Sequence, residues 1–235
     1  LKKKLQDFSV RVVLTAHPTQ FYPGNVLAIL NDLEQAIRDS RLEHINLLLR
    51  QLGKTAFINR EKPSPYDEAV SLCWFLENVF YAAIPEIMNK LMTGLNMKLD
   101  DWTNFDLLKI GFWPGGDRDG NPFVTHEITI KVSQHLQQIL FKCYYRDIRF
   151  LKRRLTFKGV DHIVARTERK IYSMAFGGNG ELYNHPDELL QDLEETREVL
   201  IRDHKGLFLN LLEGFILKVK IFGFYFASMD IRQDS

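Results

Sequence analysis

The feature that most constrains the fold is a pattern that occurs three times along the chain. Short apolar runs at residues 10–14, 107–110 and 224–229 have the composition of β-strands, and each leads into a cluster of polar or glycine residues. The first run, rich in β-branched residues, predicts a buried strand. Strands that alternate with helices usually lie parallel, and their carboxyl ends then line one site. We therefore expect one site at the ends of these three strands.

The intervals between the runs carry apolar residues at helical spacing. Asn25, Ser64 and Thr125 are suited to N-caps, and Pro186 is suited to the first turn of a helix. Helices account for roughly two-thirds of the chain, against the usual third. Three strands cannot close a barrel. We therefore expect a predominantly α-helical α/β fold in a single domain, residues 1–235, with either a small sheet or part of a barrel.

The second run leads into the loop Gly111–Pro122, whose glycines and prolines exclude a helix interior. Asp117, Arg118, Asp119 and Asn121 stand among these glycines. Because glycine lets a backbone approach a ligand closely, the loop is a candidate cradle for a polar ligand. The alternative is a tight structural turn in which Asp and Asn bond to their own backbone.

The other two strand ends carry a histidine and an arginine, which suit an anionic ligand. His17 precedes a proline that favours extended backbone, and its imidazole is suited to proton transfer near neutral pH. Arg232 can bind phosphate or carboxylate through two parallel hydrogen bonds. The alternatives are a core histidine bonded to a carbonyl, and an ordinary ion pair between Asp230 and Arg232 at a strand end.

Composition narrows the class of protein. The chain has 31 Lys and Arg against 30 Asp and Glu, and this balance argues against a nucleic-acid binder. No apolar run approaches the length of a membrane span and no signal peptide opens the chain, so we expect a soluble, cytoplasmic protein with no membrane partner. Cys73 and Cys143 lie in apolar helical patterns, which predicts buried free thiols. The chain begins with Leu1 and ends at Ser235 directly after a charged segment, so we expect a piece of a longer protein.

Three motifs together resemble phosphoenolpyruvate carboxylase. The segment Leu14–Gln20 resembles the histidine signature of that family, Gly115–Thr125 resembles its central glycine loop, and Met229–Ser235 is similar to its arginine motif. The segment Lys62–Ala69 is similar as well. The motifs follow the family's order and span nearly the whole chain, which would form the N-terminal part of the much longer enzyme.

The chain departs from the family pattern at two places. Pro23 and Gly24 stand where the family usually carries a pair of arginines, which bears on any anion contact made by that pair. Phe112 and Pro114 replace a usual serine and a usual Met or Ile before the double glycine. Both departures indicate a divergent branch of the bacterial type.

The resemblance implies that phosphoenolpyruvate and bicarbonate are converted to oxaloacetate and phosphate, with Mg²⁺ or Mn²⁺ held by ligands outside this chain. It implies that His17 takes a proton from carboxyphosphate and that Arg232 binds the phosphate of the substrate. It implies supporting roles for Asp117, Arg118, Asp119, Asn121, Asp230 and Gln233. The implied fold is a partial (β/α)8-type barrel with a few short parallel strands wrapped by many helices. The implied assembly of the full-length protein is a homotetramer, and this chain alone is expected to be inactive.

Two alternatives stay open on the residues alone. One is a non-enzymatic helical scaffold or interaction module, in which the three motifs serve as turns and ion pairs. The other is a different phosphate-handling barrel enzyme. The substitution His17→Asn in the full-length protein separates an enzyme from a scaffold, because only an enzyme would lose turnover.

Overall fold

Most of the chain is helical. The computed structural model describes residues 2–15, 22–57, 63–119 and 121–232. The helices are α1 Lys2–Gln6, α2 Gly24–Arg38, α3 Leu42–Leu52, α4 Pro65–Phe75, α5 Tyr81–Gly94, α6 His126–Lys152, α7 Asp161–Phe176, α8 Pro186–His204 and α9 Leu209–Phe222. A π-helical turn, Leu76–Phe80, joins α4 to α5, and a 3-10 turn spans Leu99–Asp101. The prediction of a predominantly α-helical α/β fold is confirmed.

Within the described residues, three strands form one parallel sheet. They are β1 Val10–Leu14, β2 Leu108–Phe112 and β3 Ser228–Met229, in the spatial order β1-β2-β3. Leu14 lies opposite Phe112, and Phe112 lies opposite Met229. The predicted parallel arrangement is confirmed, and the carboxyl ends of all three strands meet at one edge of the sheet.

The prediction of a buried β1 was wrong. Val10, Val12 and Val13 are 37–42% exposed, and Leu14 alone in the strand is partly buried. β1 forms the edge of the sheet in the described part of the chain, whereas β2 has a strand on each side. β1 therefore has fewer neighbours to cover its side chains.

The third strand is shorter than the sequence predicts. Only Ser228 and Met229 pair with β2, while the residues before them form turns. Phe224 and Phe226 turn instead into the helical core, where they are 5% and 2% exposed. The ring of Phe224 packs edge-on against Phe141 of α6 at 5.2 Å between centroids. Burial of these aromatic side chains in the helical core therefore takes the place of strand pairing in this segment.

The main core lies between the sheet and the helices. Its centre is Tyr144 of α6, which is fully buried and donates its hydroxyl proton to the carbonyl of Gly223 at 2.8 Å. Ile110 and Phe112 of β2 belong to the same core. One face of β2 is therefore fixed on the helical layer. A second, smaller core lies between α2 and α3, where Ile29 packs with Ala36 and Leu48.

Two of the three predicted N-caps, Ser64 and Thr125, are confirmed. The Ser64 hydroxyl accepts from the backbone of Asp67, and the Asp67 carboxylate accepts from the backbone of Ser64 at 3.0 Å, which is a capping box. Thr125 caps α6. The cap predicted at Asn25 was wrong, because α2 begins at Gly24, and Pro23, two residues before Asn25, stands in the N-cap position.

One continuous helical stretch qualifies the prediction that no segment approaches a membrane span. Pro65–Gly94 is long and apolar enough to cross a membrane by length and composition. Its Leu72, Leu76 and Met88 side chains are buried in the main core.

The two cysteines are free and buried, so the prediction of buried free thiols is confirmed. Cys73 lies on α4 and Cys143 on α6, both inside the main core. Removal of the sulfur atoms from water disfavours the thiolate, and this burial raises the pKa of each thiol to about 12.

Candidate functional site

The predicted site lies where β2 and β3 end, and backbone pairing continues there beyond the strands. The Asp230 amide donates to the Phe112 carbonyl at 3.1 Å, and the Arg232 amide donates to the Gly116 carbonyl at 3.1 Å. The Arg118 amide donates to the carbonyl of Arg232 at 3.0 Å, which closes a parallel bridge between Asp117 and Arg232. The glycine loop and the arginine motif are thus joined by their backbones.

The double glycine of the loop is needed for this pairing. Gly115 has a φ of +78°, in the left-handed region that disfavours other residues. At Gly116, a Cβ atom would lie 2.4 Å from the backbone oxygen of Asp230. Any side chain there would push the arginine motif away from the loop. The loop is therefore shaped to receive the segment after β3.

Arg232 is held by Asp117 and Trp113. Its Nε and Nη2 atoms donate to the two carboxylate oxygens of Asp117 at 3.2 and 2.5 Å. The hydrogen bond from Arg232 lowers the pKa of Asp117 below its ordinary value of 3.8. The guanidinium carbon lies 4.3 Å from the centre of the Trp113 ring, a cation–π distance. The Arg232 side chain is still 46% exposed, so it can meet a ligand.

Asp230 pairs with Arg11 of β1 and with Trp113, the residue that follows β2. Its Oδ1 accepts from Arg11 Nη2 at 2.6 Å, and its Oδ2 accepts from the Trp113 indole N–H at 2.9 Å. The alternative of an ordinary ion pair between Asp230 and Arg232 was wrong, because each has a different partner. Neither Arg11 nor Trp113 is among the site residues predicted from the sequence. The sequence signal that could have identified Arg11 is its charge within the β-branched run Val10–Leu14.

The remaining loop residues described by the structure shape the turn. Oδ1 of Asp117 accepts from the backbone of Asp119, and Oδ1 of Asn121 accepts from the backbone of Phe123, each at 3.2 Å. These are side-chain turns of the kind that the structural alternative invoked. The Nε atom of Arg118 is buried without a hydrogen-bond partner among the described residues. The side chains of Asp117 and Asn121 therefore shape the loop itself.

Two of the predicted site residues, His17 and Gln233, lie outside the described residues. The strand that leads to His17 is described as far as Thr15, and its last residue, Leu14, accepts a hydrogen bond from the Trp113 amide at 3.0 Å. Pro23 and Gly24, which replace the family's arginine pair, form the start of α2.

The acids of the described site do not fit a divalent cation. A recess of about 150 Å³ is lined by Glu68, Asp117 and Asp119 among others. Asp117 is occupied by Arg232, and Asp230 is occupied by Arg11 and Trp113. Across the described ranges, no group of three or more His, Cys, Asp and Glu is placed to hold a metal. A carboxylate that accepts from an arginine has fewer free oxygens for a cation such as Mg²⁺.

Comparison with known proteins gives the family. The family model of phosphoenolpyruvate carboxylase matches residues 1–172 and 161–235, which together cover the chain. The chain belongs to the phosphoenolpyruvate carboxylase family. The phosphoenolpyruvate carboxylases of Aeromonas salmonicida and Aeromonas hydrophila subsp. hydrophila are 29% and 30% identical to it over 278 aligned positions, covering 98% of the chain. That of Acinetobacter baylyi is 26% identical and covers the whole chain.

The match is confined to one part of these carboxylases. The chain spans 31% of the length of each of the three relatives. The alignments with the two Aeromonas carboxylases extend over 278 positions, more than the 235 residues of the chain, so the relatives carry residues within this region that the chain lacks.

Proposed function

We propose that the full-length protein containing this chain converts phosphoenolpyruvate and bicarbonate to oxaloacetate and phosphate. The observation that carries the proposal is the ion pair between Arg232 and Asp117. It brings two family motifs together at the carboxyl ends of parallel strands, although 115 residues separate them. In α/β proteins with parallel strands, this edge of the sheet is the usual place for ligands.

Arg232 is the proposed ligand for the phosphate of phosphoenolpyruvate. Asp117 holds one edge of its guanidinium, and Nη1 has no hydrogen-bond partner among the described residues. These remaining N–H donors match the geometry of a phosphate group. A fixed positive charge there also stabilises the charge that moves between oxygens during phosphoryl transfer.

His17 is the proposed general base. Transfer of the phosphoryl group from phosphoenolpyruvate to bicarbonate gives carboxyphosphate and the enolate of pyruvate. His17 then accepts the carboxyl proton of carboxyphosphate, whose C–O bond to phosphate breaks to release CO₂ and phosphate. The enolate carbon attacks CO₂ and forms oxaloacetate. An imidazole is suited to this proton because its pKa lies near neutrality.

The proposal extends to the fold and the setting of the whole protein. One edge of β1 has no strand neighbour among the described residues, and further strands supplied by the rest of the protein would extend the sheet into a (β/α)8-type barrel. Residues 1–235 would then be one domain of a cytoplasmic homotetramer. The divalent cation that the family implies would be held by residues beyond the described ones, and the 235-residue chain alone would make no oxaloacetate.

Substitutions in the full-length protein test the proposal through oxaloacetate formation from phosphoenolpyruvate and bicarbonate. Arg232→Gln is expected to lower kcat/KM by about 1000-fold, the scale of a lost arginine in phosphoryl transfer. His17→Asn is expected to abolish turnover with the fold intact, by circular dichroism and thermal unfolding.

The matched control is Arg50→Gln, which removes an exposed arginine on α3 and should leave the kinetics unchanged. Unchanged turnover in both site variants would reject the proposal and favour a scaffold.

A further inference from the structure

Arg11 crosses the sheet from one edge strand to the other. It stands in β1, yet its Nη2 atom reaches Asp230, just beyond β3, at 2.6 Å. The same atom lies 3.4 Å from the carbonyl oxygen of Ser228 in β3. The side chain therefore passes over β2, the central strand, and links the two outer strands directly.

A glycine in β2 leaves the space for this crossing. Arg11 and Val13 of β1 lie opposite Lys109 and Gly111 of β2, so these four residues share one face of the sheet. A Cβ atom at Gly111 would lie 2.9 Å from Arg11 Nε and 3.1 Å from its Cζ. Any larger residue at this position would displace the guanidinium from its path. Gly111 and Arg11 therefore act as a matched pair.

From Asp230 the contacts continue to the proposed phosphate ligand. One carboxylate oxygen of Asp230 accepts from Arg11, and the other accepts from the indole N–H of Trp113 at 2.9 Å. The face of that indole carries the guanidinium of Arg232 at 4.3 Å. Asp117 holds the same guanidinium at its edge. The Trp113 ring is thus oriented by a carboxylate whose own position is set by Arg11.

We propose that Arg11 is a positioning residue for Arg232 and acts through Asp230 and Trp113. This inference rests on the proposed function. With Arg11 in place, Asp230 is fixed at both oxygens, and the indole lies flat beneath Arg232. Without Arg11, the carboxylate keeps one partner and is free to turn toward water or toward Arg232. The guanidinium then loses its fixed direction toward the phosphate.

The test is steady-state kinetics of the full-length protein with phosphoenolpyruvate as the varied substrate. Arg11→Gln is expected to raise KM for phosphoenolpyruvate about tenfold while kcat changes by less than about threefold, because substrate binding is the weakened step. Arg11→Lys restores the charge and is expected to recover part of the KM. Gly111→Ala leaves Arg11 in the sequence but displaces it, and is expected to raise KM as well.

Two further variants separate positioning from a general loss of structure. Lys109→Gln removes a cation from the same face of the sheet, where Lys109 pairs with exposed Asp106, and should leave KM unchanged. The double variant Arg11→Gln with Asp230→Asn should be no worse than Asp230→Asn alone, since Arg11 acts through Asp230. A wild-type KM in Arg11→Gln, or multiplying effects in the double variant, would overturn the inference. Absence of oxaloacetate formation by the wild-type protein would instead reject the proposed function.

Discussion

Single side chains at the strand ends are linked in pairs that join distant parts of the sequence. Arg232 and Asp117 are 115 residues apart, Trp113 and Asp230 are 117 apart, and Arg11 and Asp230 are 219 apart. The two ion pairs are partly exposed, at 24–46% for their side chains, so they direct these side chains more than they stabilise the fold. Only a correctly formed sheet brings the partners together.

Gly116→Ala and Gly214→Ala are expected to change stability in opposite directions. A Cβ at Gly116 would lie 2.4 Å from a backbone oxygen, which cannot move cheaply, and overpacking of this kind costs about 1–3 kcal/mol. Gly214 lies in α9 with nothing within 4 Å of its Cβ position, so alanine should stabilise by about 0.5–1 kcal/mol. Urea unfolding measures both, and a destabilised Gly214→Ala or a neutral Gly116→Ala would contradict the geometry.

The carboxyl group of Asp117 should report on Arg232 through its pKa. The hydrogen bond from Arg232 lowers this pKa below 3.8, so the pair stabilises the fold above that pH and is lost as the pH falls through the lowered value. In Arg232→Gln, the pKa of Asp117 should rise toward 3.8. Carbon-detected NMR titration measures it. The control is Asp67, whose pKa is lowered by its hydrogen bonds with Ser64 and should not respond to that substitution.

The sequence predicts which residue types form the site, but it does not predict how these residues pair. The order of strand and polar cluster indicated Asp117, Asp230 and Arg232, because each motif is local. The pairing of Asp230 with Arg11 has no local signal, since it depends on the strand order and on an empty Cβ position in β2. Arg11 was visible as a charged residue in an apolar run, as Lys109 is in the second run.

At the scale of helices and strands, the limits of an element can be predicted from the sequence where nearby capping or turn residues set them. α4 begins where the side chains of Ser64 and Asp67 accept from each other's backbone amides, with Pro65 at the first helical position, and α6 begins after Thr125. The limits of β3 and the π-helical turn Leu76–Phe80 depend on burial against distant helices. These parts could not be predicted from periodicity, which describes one element at a time.

Ser64→Ala should destabilise the chain by about 1 kcal/mol, because it removes the side-chain half of the capping box. The matched control is Ser71→Ala in the same helix. The hydroxyl of Ser71 donates to the Asp67 carbonyl, which already belongs to the helical ladder, so its loss should change stability by less than about 0.5 kcal/mol. Thermal unfolding of the two variants compares them directly. Equal losses would mean that the cap contributes nothing specific.

At the scale of the whole molecule, the main core closes over both cysteines. Cys73 and Cys143 come from α4 and α6, and both helices must separate before either thiol meets water. The pKa of each thiol is raised to about 12, so little thiolate exists near neutral pH.

Both thiols should therefore be inert toward Ellman's reagent at pH 8 in the folded chain. In 6 M guanidinium, both should react within the mixing time, since burial in the folded chain is the main cause that suppresses the thiolate. The number of fast-reacting thiols per chain gives the result, and unfolding in urea should expose the two together. Rapid reaction of either thiol without denaturant would show that this core opens locally.

In the parallel sheet, strands that pair are far apart in the sequence, so they are synthesised at different times. Val10 pairs with Leu108, and the partner of Phe112 is Met229. At a ribosomal rate of roughly 5–20 residues per second, β1 precedes its described neighbour β2 by roughly 5–20 s. During that interval its valines and unpaired amides are open to any other nascent strand. Slowing translation between residues 15 and 107 should therefore increase aggregation, while slowing it after residue 232 should not.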